Sequence, residues 1–80
     1  MPVQSVLETI TQIVREELED DAIVLTPQTR ARDVPGWDSL AHVRIVVAIE
    51  DAFDTEFETS AVTGLRNVGD LVDLVDAAIE

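Results

Sequence analysis

The chain of 80 residues contains no cysteine and only one histidine. Disulfide bonds are therefore excluded, and a zinc site, which is built from several cysteine or histidine ligands, is not expected. Long apolar runs are also missing, since the longest covers residues 45–49, far short of the roughly 20 residues that cross a bilayer as a helix. The start of the chain lacks the basic segment and apolar stretch of a signal peptide. We therefore expect a cytoplasmic protein without membrane insertion, held together by apolar packing.

Lysine is absent too, and all five basic residues are arginines, against 17 aspartates and glutamates. The formal net charge is −12. A field of this sign repels the phosphates of nucleic acids and anionic lipid surfaces, so neither is an expected partner. It attracts proteins with basic surfaces, although a high acidic charge can also serve solubility alone.

Apolar residues recur at helical spacing in three segments, which cover residues 3–18, 40–53 and 68–79. Residues 58–66 leave room for one further helical turn, and no segment alternates convincingly with a period of two. The pattern predicts an all-α fold, a four-helix bundle with three main helices, one short helix and a long first loop. We expect residues 1–80 to form a single domain.

The long first loop covers residues 20–37 and contains two prolines and Gly36. A loop of this length in a compact domain is uncommon and is often functional. Val24 and Leu25 are predicted to anchor it to the core.

Two helix starts carry capping residues. Asp38 is expected to cap the second helix, because its side chain can accept a hydrogen bond from a free backbone N–H group. Asn67 and, three residues later, Asp70 resemble a capping box at the start of the last helix.

The second predicted helix has two apolar faces. His42, Ile45, Val46, Ile49 and Phe53 share one wide face, which should pack against the other helices. The opposite side carries a second apolar stripe and a charged rim, formed by Leu40, Val43 and Val47 and by Arg44, Glu50 and Asp51. Such a surface is typical of a partner-binding site, whereas a small bundle can also bury its central helix almost all round.

Ser39 directly follows the capping aspartate, in the sequence Gly-Trp-Asp-Ser-Leu of residues 36–40. A serine at a helix start is ordinary in itself. Together with the helix that ends Ile-Glu-Asp-Ala-Phe at residues 49–53, however, this stretch resembles the acyl carrier protein family, whose core motif is Gly-x-Asp-Ser-Leu. The resemblance covers the whole chain in length, helix order, long first loop and position of the serine.

The resemblance implies a carrier protein that is not itself an enzyme. The matching serine in the family receives 4′-phosphopantetheine from coenzyme A, which implies attachment at Ser39, with Asp38 helping the phosphopantetheinyl transferase and its metal to engage the site. The thiol of the arm, which this cysteine-free chain lacks, carries acyl or aminoacyl groups as thioesters. A loading ligase and downstream synthase or transferase enzymes are the other implied partners, which would dock on the stripe and its charged rim. We expect the carrier to be a monomer.

Two features differ from the fatty-acid type of carrier. Ala41 and Arg44 stand where that type commonly has acidic residues, and Trp37 precedes the aspartate. Both favour a discrete carrier of a specialised pathway, such as polyketide, peptide or modified-lipid synthesis, over docking to ordinary fatty acid synthase enzymes. Acyl and aminoacyl cargo both remain open. A further hypothesis is that the interior near Ile45 and Ile49 shelters part of an acyl chain.

Other functions fit the residues less well. Ser39 and His42 lie three positions apart, but His42 is expected at the edge of the core, bonded to a backbone carbonyl, and no oxyanion site is apparent for a hydrolase. Carboxylates at positions 54, 56 and 58 imitate a calcium loop, which fails because Thr59 and Leu65 stand where glycine and glutamate are needed. No metal site is expected. The alternative from another class is an unmodified, acidic helical protein-interaction domain that leaves Ser39 bare.

Overall fold

A computed structural model describes residues 3–79, with side chains from Ser5 onward. The elements in that range are four α-helices and one 3₁₀ turn: α1 (Val3–Glu17), the 3₁₀ turn (Ala31–Asp33), α2 (Ser39–Phe53), α3 (Thr59–Thr63) and α4 (Val68–Ile79). The predicted all-α fold, with three main helices, one short helix and a long first loop, is confirmed. The sequence pattern does not predict the 3₁₀ turn inside that loop. None of the described helices is long and apolar enough to cross a membrane.

The core lies where α1 packs against both α2 and α4. Its most deeply buried side chains are Val6, Ile10 and Val14 on α1, Ile45 and Ile49 on α2, and Leu71 and Val75 on α4. These positions recur every three or four residues, which places them on one face of each helix. The predicted apolar face of α1 is therefore confirmed, except that the side chain of Val3 lies outside the described residues.

The long first loop is tied to this core by four apolar side chains that are 5–9% exposed, those of Ile23, Leu25, Val34 and Trp37. The prediction that Val24 is an anchor is wrong, since that side chain is 72% exposed. Consecutive side chains of a non-helical segment point to opposite sides, so burial of Ile23 and Leu25 turns Val24 toward solvent.

The same loop also crosses the start of α4. The N–H groups of Val68 and Gly69 donate to the carbonyl oxygens of Thr29 at 2.7 Å and Pro27 at 2.8 Å. These donors belong to the first turn of the helix, where they have no partner within the helix itself. A Cβ atom on Gly69 would lie 2.9 Å from the oxygen of Pro27, so the approach of loop and helix requires glycine.

The capping box predicted for α4 is half right. Asn67 caps the helix, because its Oδ1 accepts a hydrogen bond of 2.9 Å from the N–H of Asp70. The carboxylate of Asp70, however, accepts from the N–H of Arg66 at 3.0 Å and from its Nε at 3.1 Å. These two hydrogen bonds lower the pKa of Asp70 below its ordinary value, because both favour the charged carboxylate.

Candidate functional site

The start of α2 is positioned by a turn at residues 34–38. Gly36 has a φ of +88°, a conformation that glycine adopts without strain. The next N–H, that of Trp37, donates to the carbonyl of Val34 at 3.2 Å. Asp38 then caps the helix, since its Oδ1 accepts a hydrogen bond of 2.8 Å from the N–H of Ala41. The predicted N-cap is therefore confirmed.

Ser39 is the first residue of α2 and is exposed. Within the described part of the chain, its hydroxyl makes no hydrogen bond, and no atom accepts from the N–H groups of Ser39 and Leu40. Free N–H groups give the start of a helix a partial positive charge. The hydroxyl is thus accessible and lies at the end of α2 that favours an anionic substituent.

The exposed stripe formed by Leu40, Val43 and Val47 lies on the outer side of α2. These side chains are 73%, 60% and 49% exposed, respectively. On the other side of the helix, Ile45 and Ile49 are completely buried. The prediction of two distinct apolar faces is confirmed, and the alternative, a central helix buried almost all round, is wrong.

Two of the three residues of the charged rim make contacts inside the chain. The Nε of Arg44 lies 3.6 Å from Oε1 of Glu17, so this pair links α2 to α1. Oε2 of Glu50 accepts a hydrogen bond of 2.8 Å from the N–H of Phe57 and thereby holds the loop after α2. Asp51 is exposed. Neither structural contact was predicted, because both partners lie in other elements.

His42 connects three parts of the structure near Ser39. The indole N–H of Trp37 donates to Nδ1 of His42 at 3.1 Å, which requires that Nδ1 carry no proton. The proton of the neutral ring is then on Nε2, which donates to the carbonyl of Val62 in α3 at 3.0 Å. The prediction of a core-edge histidine bonded to a backbone carbonyl is confirmed. Because both ring nitrogens are engaged, the ring has no free nitrogen to act as a base toward Ser39.

A pocket of about 520 Å³ opens between the first loop, the start of α2 and the start of α4. Trp37 and His42 lie in its wall, together with three arginines that were not among the predicted site residues. The interior near Ile45 and Ile49, proposed above as a shelter for an acyl chain, is filled by those completely buried side chains. Neither residue lines this pocket or either of two further surface pockets.

Across residues 3–79, no group of three or more histidine, aspartate or glutamate side chains could hold a metal ion. The carboxylates at positions 54, 56 and 58 are exposed, and Asp54 follows α2 with a positive φ of 52°. They form the end of a helix and the loop after it.

Comparison with known proteins is consistent with this geometry. Residues 8–75 match the family model described as the phosphopantetheine attachment site. The chain is also similar to the holo acyl carrier protein from Geobacter metallireducens, whose structure was solved by NMR in solution. The two are 42% identical, with a TM-score of 0.86, over 92% of this chain and 85% of the other.

Proposed function

We propose that this chain, which belongs to the acyl carrier protein family, carries its prosthetic group on Ser39. As a member of that family it is a phosphopantetheine-bearing carrier protein, and the alternative of an unmodified interaction domain is not favoured. The 4′-phosphopantetheine group supplies the thiol that holds cargo as a thioester, and the chain itself has no cysteine. One observation carries the assignment to Ser39: its exposed place in the Asp-Ser-Leu sequence at the start of α2.

The residues around Ser39 fit a group attached through a phosphodiester. The hydroxyl is exposed, so a transferase can reach it. The free N–H groups of Ser39 and Leu40 favour the negative charge of the diester, as does the partial positive charge at the start of α2. Asp38 stabilises the first turn of α2, which begins at Ser39, through its bond to Ala41. We infer that Asp38 also contacts the transferase and its metal during attachment.

We propose further that partner enzymes dock on the exposed stripe of Leu40, Val43 and Val47. Carrier proteins of this family interact with phosphopantetheinyl transferases and biosynthetic enzymes, and a loading ligase is the expected source of cargo here. An exposed apolar stripe beside the attachment site gives each partner a surface to bury. The rim residues Arg44, Glu50 and Asp51 would orient these partners through their charges.

The remaining parts of the proposal extend beyond the site. Carriers of this family are generally not catalysts, and we infer that this chain has no activity of its own. A single domain over residues 1–80, a monomeric state and a cytoplasmic location stay predictions. Both acyl and aminoacyl cargo fit a thioester carrier, and a specialised pathway remains the prediction for its role.

The first experiment measures the intact mass of the protein after incubation with coenzyme A and a broad-specificity phosphopantetheinyl transferase. We expect one phosphopantetheine adduct on the native chain and on Ser60→Ala, and none on Ser39→Ala. Ser60 is a matched control, since it is also an exposed serine in the first turn of a helix. An unmodified native chain that is folded, or an adduct on Ser39→Ala, would refute the assignment.

A second experiment tests the docking surface with a matched pair of substitutions. Val43→Asp and Val24→Asp each replace an exposed valine, 60% and 72% exposed, with the same charge. We expect Val43→Asp to lower the kcat/KM of the transferase for the apo protein at least fivefold, because it places a charge in the apolar contact. Val24→Asp should leave that constant within twofold. Equal effects of the two substitutions would contradict docking on the stripe.

A further inference from the structure

The pocket described above adjoins the proposed attachment site. Trp37 lies two residues before Ser39, and His42 lies one helical turn after it, so both wall residues flank the serine. Side chains three positions apart on a helix are neighbours, with Cβ atoms about 5–6 Å apart. A flexible arm on Ser39 therefore starts close to two residues of the pocket wall, and its length lets it reach the pocket.

The lining of the pocket combines apolar side chains with a cluster of arginines. Its apolar part includes Trp37, Leu65 and Leu71. Three of the five arginines of the chain also line it, namely Arg30, Arg32 and Arg66. None of the described residues in its lining is an aspartate or glutamate, although the chain has 17 of them. Asp33 and Asp70 lie outside the lining but each pairs with one of these arginines, so the three guanidinium groups together keep one uncompensated positive charge in a strongly acidic protein.

The guanidinium groups of these arginines retain N–H donors that can bind a ligand. Arg30 and Arg66 contact carboxylates through Nε, at 3.6 Å to Asp33 and 3.1 Å to Asp70. A guanidinium has five N–H donors, so the terminal amino groups of both side chains remain. Arg32 is exposed and makes no side-chain hydrogen bond or ion pair to any residue that the structure describes. The three side chains can therefore bind a carboxylate that enters the pocket.

We propose that this pocket binds cargo that ends in a carboxylate, that is, the acid end of a dicarboxylic acyl chain. The inference rests on the proposed attachment to Ser39. The methylene groups of such a chain would lie against Trp37 and Leu65, and the distal carboxylate would pair with the arginines, whose planar fork of donors matches it. The volume of about 520 Å³ lies in the range of small-molecule sites. A net charge of −12 repels an anionic cargo elsewhere on the protein, so recognition requires this local cluster.

The test compares two six-carbon thioesters that differ only in the distal carboxylate. Adipyl and hexanoyl groups are loaded from their coenzyme A thioesters by the transferase, and intact mass confirms one adduct on the native chain and none on Ser39→Ala. Trp37, the only tryptophan, reports occupancy of the pocket by its fluorescence. We expect adipyl to change the emission several times more than hexanoyl, and Arg32→Ala or Arg66→Ala to remove the difference. Gln12→Glu, which changes the net charge equally on α1 outside this pocket, should preserve it.

A titration with free ligands tests the pocket without attachment of cargo to Ser39. The apo protein is titrated with S-adipyl-pantetheine and with S-hexanoyl-pantetheine, and Trp37 emission gives each Kd. We expect the adipyl compound to bind about three- to tenfold more tightly, as charge-assisted hydrogen bonds at a partly exposed site do. Either arginine substitution should abolish that ratio.

The other possible outcomes would refute either the pocket proposal or the attachment proposal. Equal responses to the two free compounds, or a preference that survives Arg32→Ala and Arg66→Ala, overturn the pocket proposal even where Ser39 is modified. A preference lost equally in Gln12→Glu overturns it as well, because general charge would explain it. If attachment of the arm without cargo already changes Trp37 emission, and the arginine substitutions remove that change, the arginines bind the phosphate of the arm. That result refutes a cargo site. Failure to load Ser39 refutes the attachment proposal, and the free-ligand titration then decides the pocket separately.

Discussion

Replacement of His42 by alanine should destabilise the whole region around the attachment site. The imidazole joins the long first loop to α3, since it accepts from Trp37 and donates to the carbonyl of Val62. Trp37 is only 9% exposed, so once the imidazole is gone the indole N–H reaches water only through the adjoining pocket. The substitution therefore leaves a part-buried donor without its protein partner and removes one bond that fixes α3.

The size of the effect follows from these two hydrogen bonds. An unsatisfied buried group costs about 1–3 kcal/mol, and an ordinary hydrogen bond contributes about 1 kcal/mol net. His42 is only partly buried, so water replaces some of the lost interaction. We expect His42→Ala to lower the free energy of unfolding by about 2 kcal/mol, which for a domain of this size lowers Tm by roughly 10 °C.

A double-mutant cycle isolates the bond between the two rings. Trp37→Phe removes the donor and keeps an aromatic ring, so His42→Ala should cost about 1 kcal/mol less in that background. Urea unfolding followed by far-UV circular dichroism gives the four free energies without the tryptophan signal. Val43→Ala, on the exposed side of the same helix, is the control and should change stability by less than about 0.5 kcal/mol. A coupling energy below about 0.3 kcal/mol would refute the claim that the Trp37–His42 bond holds this region.

Three further predictions concern the helix starts. Asp38→Ala should lower the free energy of unfolding in urea by about 1 kcal/mol, because it removes the cap. Asp38→Asn keeps the cap, so it should slow phosphopantetheine attachment without loss of stability. Attachment rates that follow stability in both variants would exclude direct contact of Asp38 with the transferase. The pKa of Asp70 is lowered by hydrogen bonds from the backbone and side chain of Arg66, so its stabilising contribution is present above the ordinary value of 3.8 and is lost as pH falls through the lower folded value. Asp70→Asn should therefore reduce Tm near pH 7 but progressively less below pH 3.8 in a thermal unfolding series; a constant difference would contradict the pairing. Gly69→Ala should destabilise the fold by about 1–3 kcal/mol, because its Cβ would press on the carbonyl of Pro27, and unchanged stability would show that the loop can move away.

The sequence predicted the parts of this fold that depend on local pattern. The apolar period identifies α1, α2 and α4, and the capping chemistry of Asp38 marks the start of α2. The outward direction of Leu40 follows from the same helical period. Ser39 could be singled out because the residues around it match a family motif, not because a first-turn serine is unusual.

The loops were predicted less well, because their side chains follow no period. Burial of Ile23 instead of Val24 depends on the direction in which the loop leaves α1. The bond from Glu50 to the N–H of Phe57 depends on how the chain returns after α2. Both features depend on tertiary contacts, which cannot be predicted from the neighbouring residues in the sequence.

The arginine pocket was missed for a similar reason, although a signal was present. Arg30 and Arg32 precede α2, and Arg66 precedes α4, at a distance of more than 30 positions along the chain. They line one pocket where the carbonyls of Pro27 and Thr29 accept hydrogen bonds from the start of α4. Three of the five basic residues fall in the loops before helix starts, which could have prompted the question of where those loops meet.

Two different surfaces adjoin Ser39. The outer side of α2 presents an apolar stripe with a rim of both charges, whereas the pocket between loop and α4 presents only basic and neutral side chains in its described lining. Partner docking and cargo binding therefore depend on different residues that share one attachment point. If both proposals hold, Val43→Asp should slow partner enzymes without changing the preference for adipyl over hexanoyl, and Arg32→Ala should do the reverse. Loss of both properties in either variant would show that the two surfaces act as one, and the assignment of separate roles to them would then be wrong.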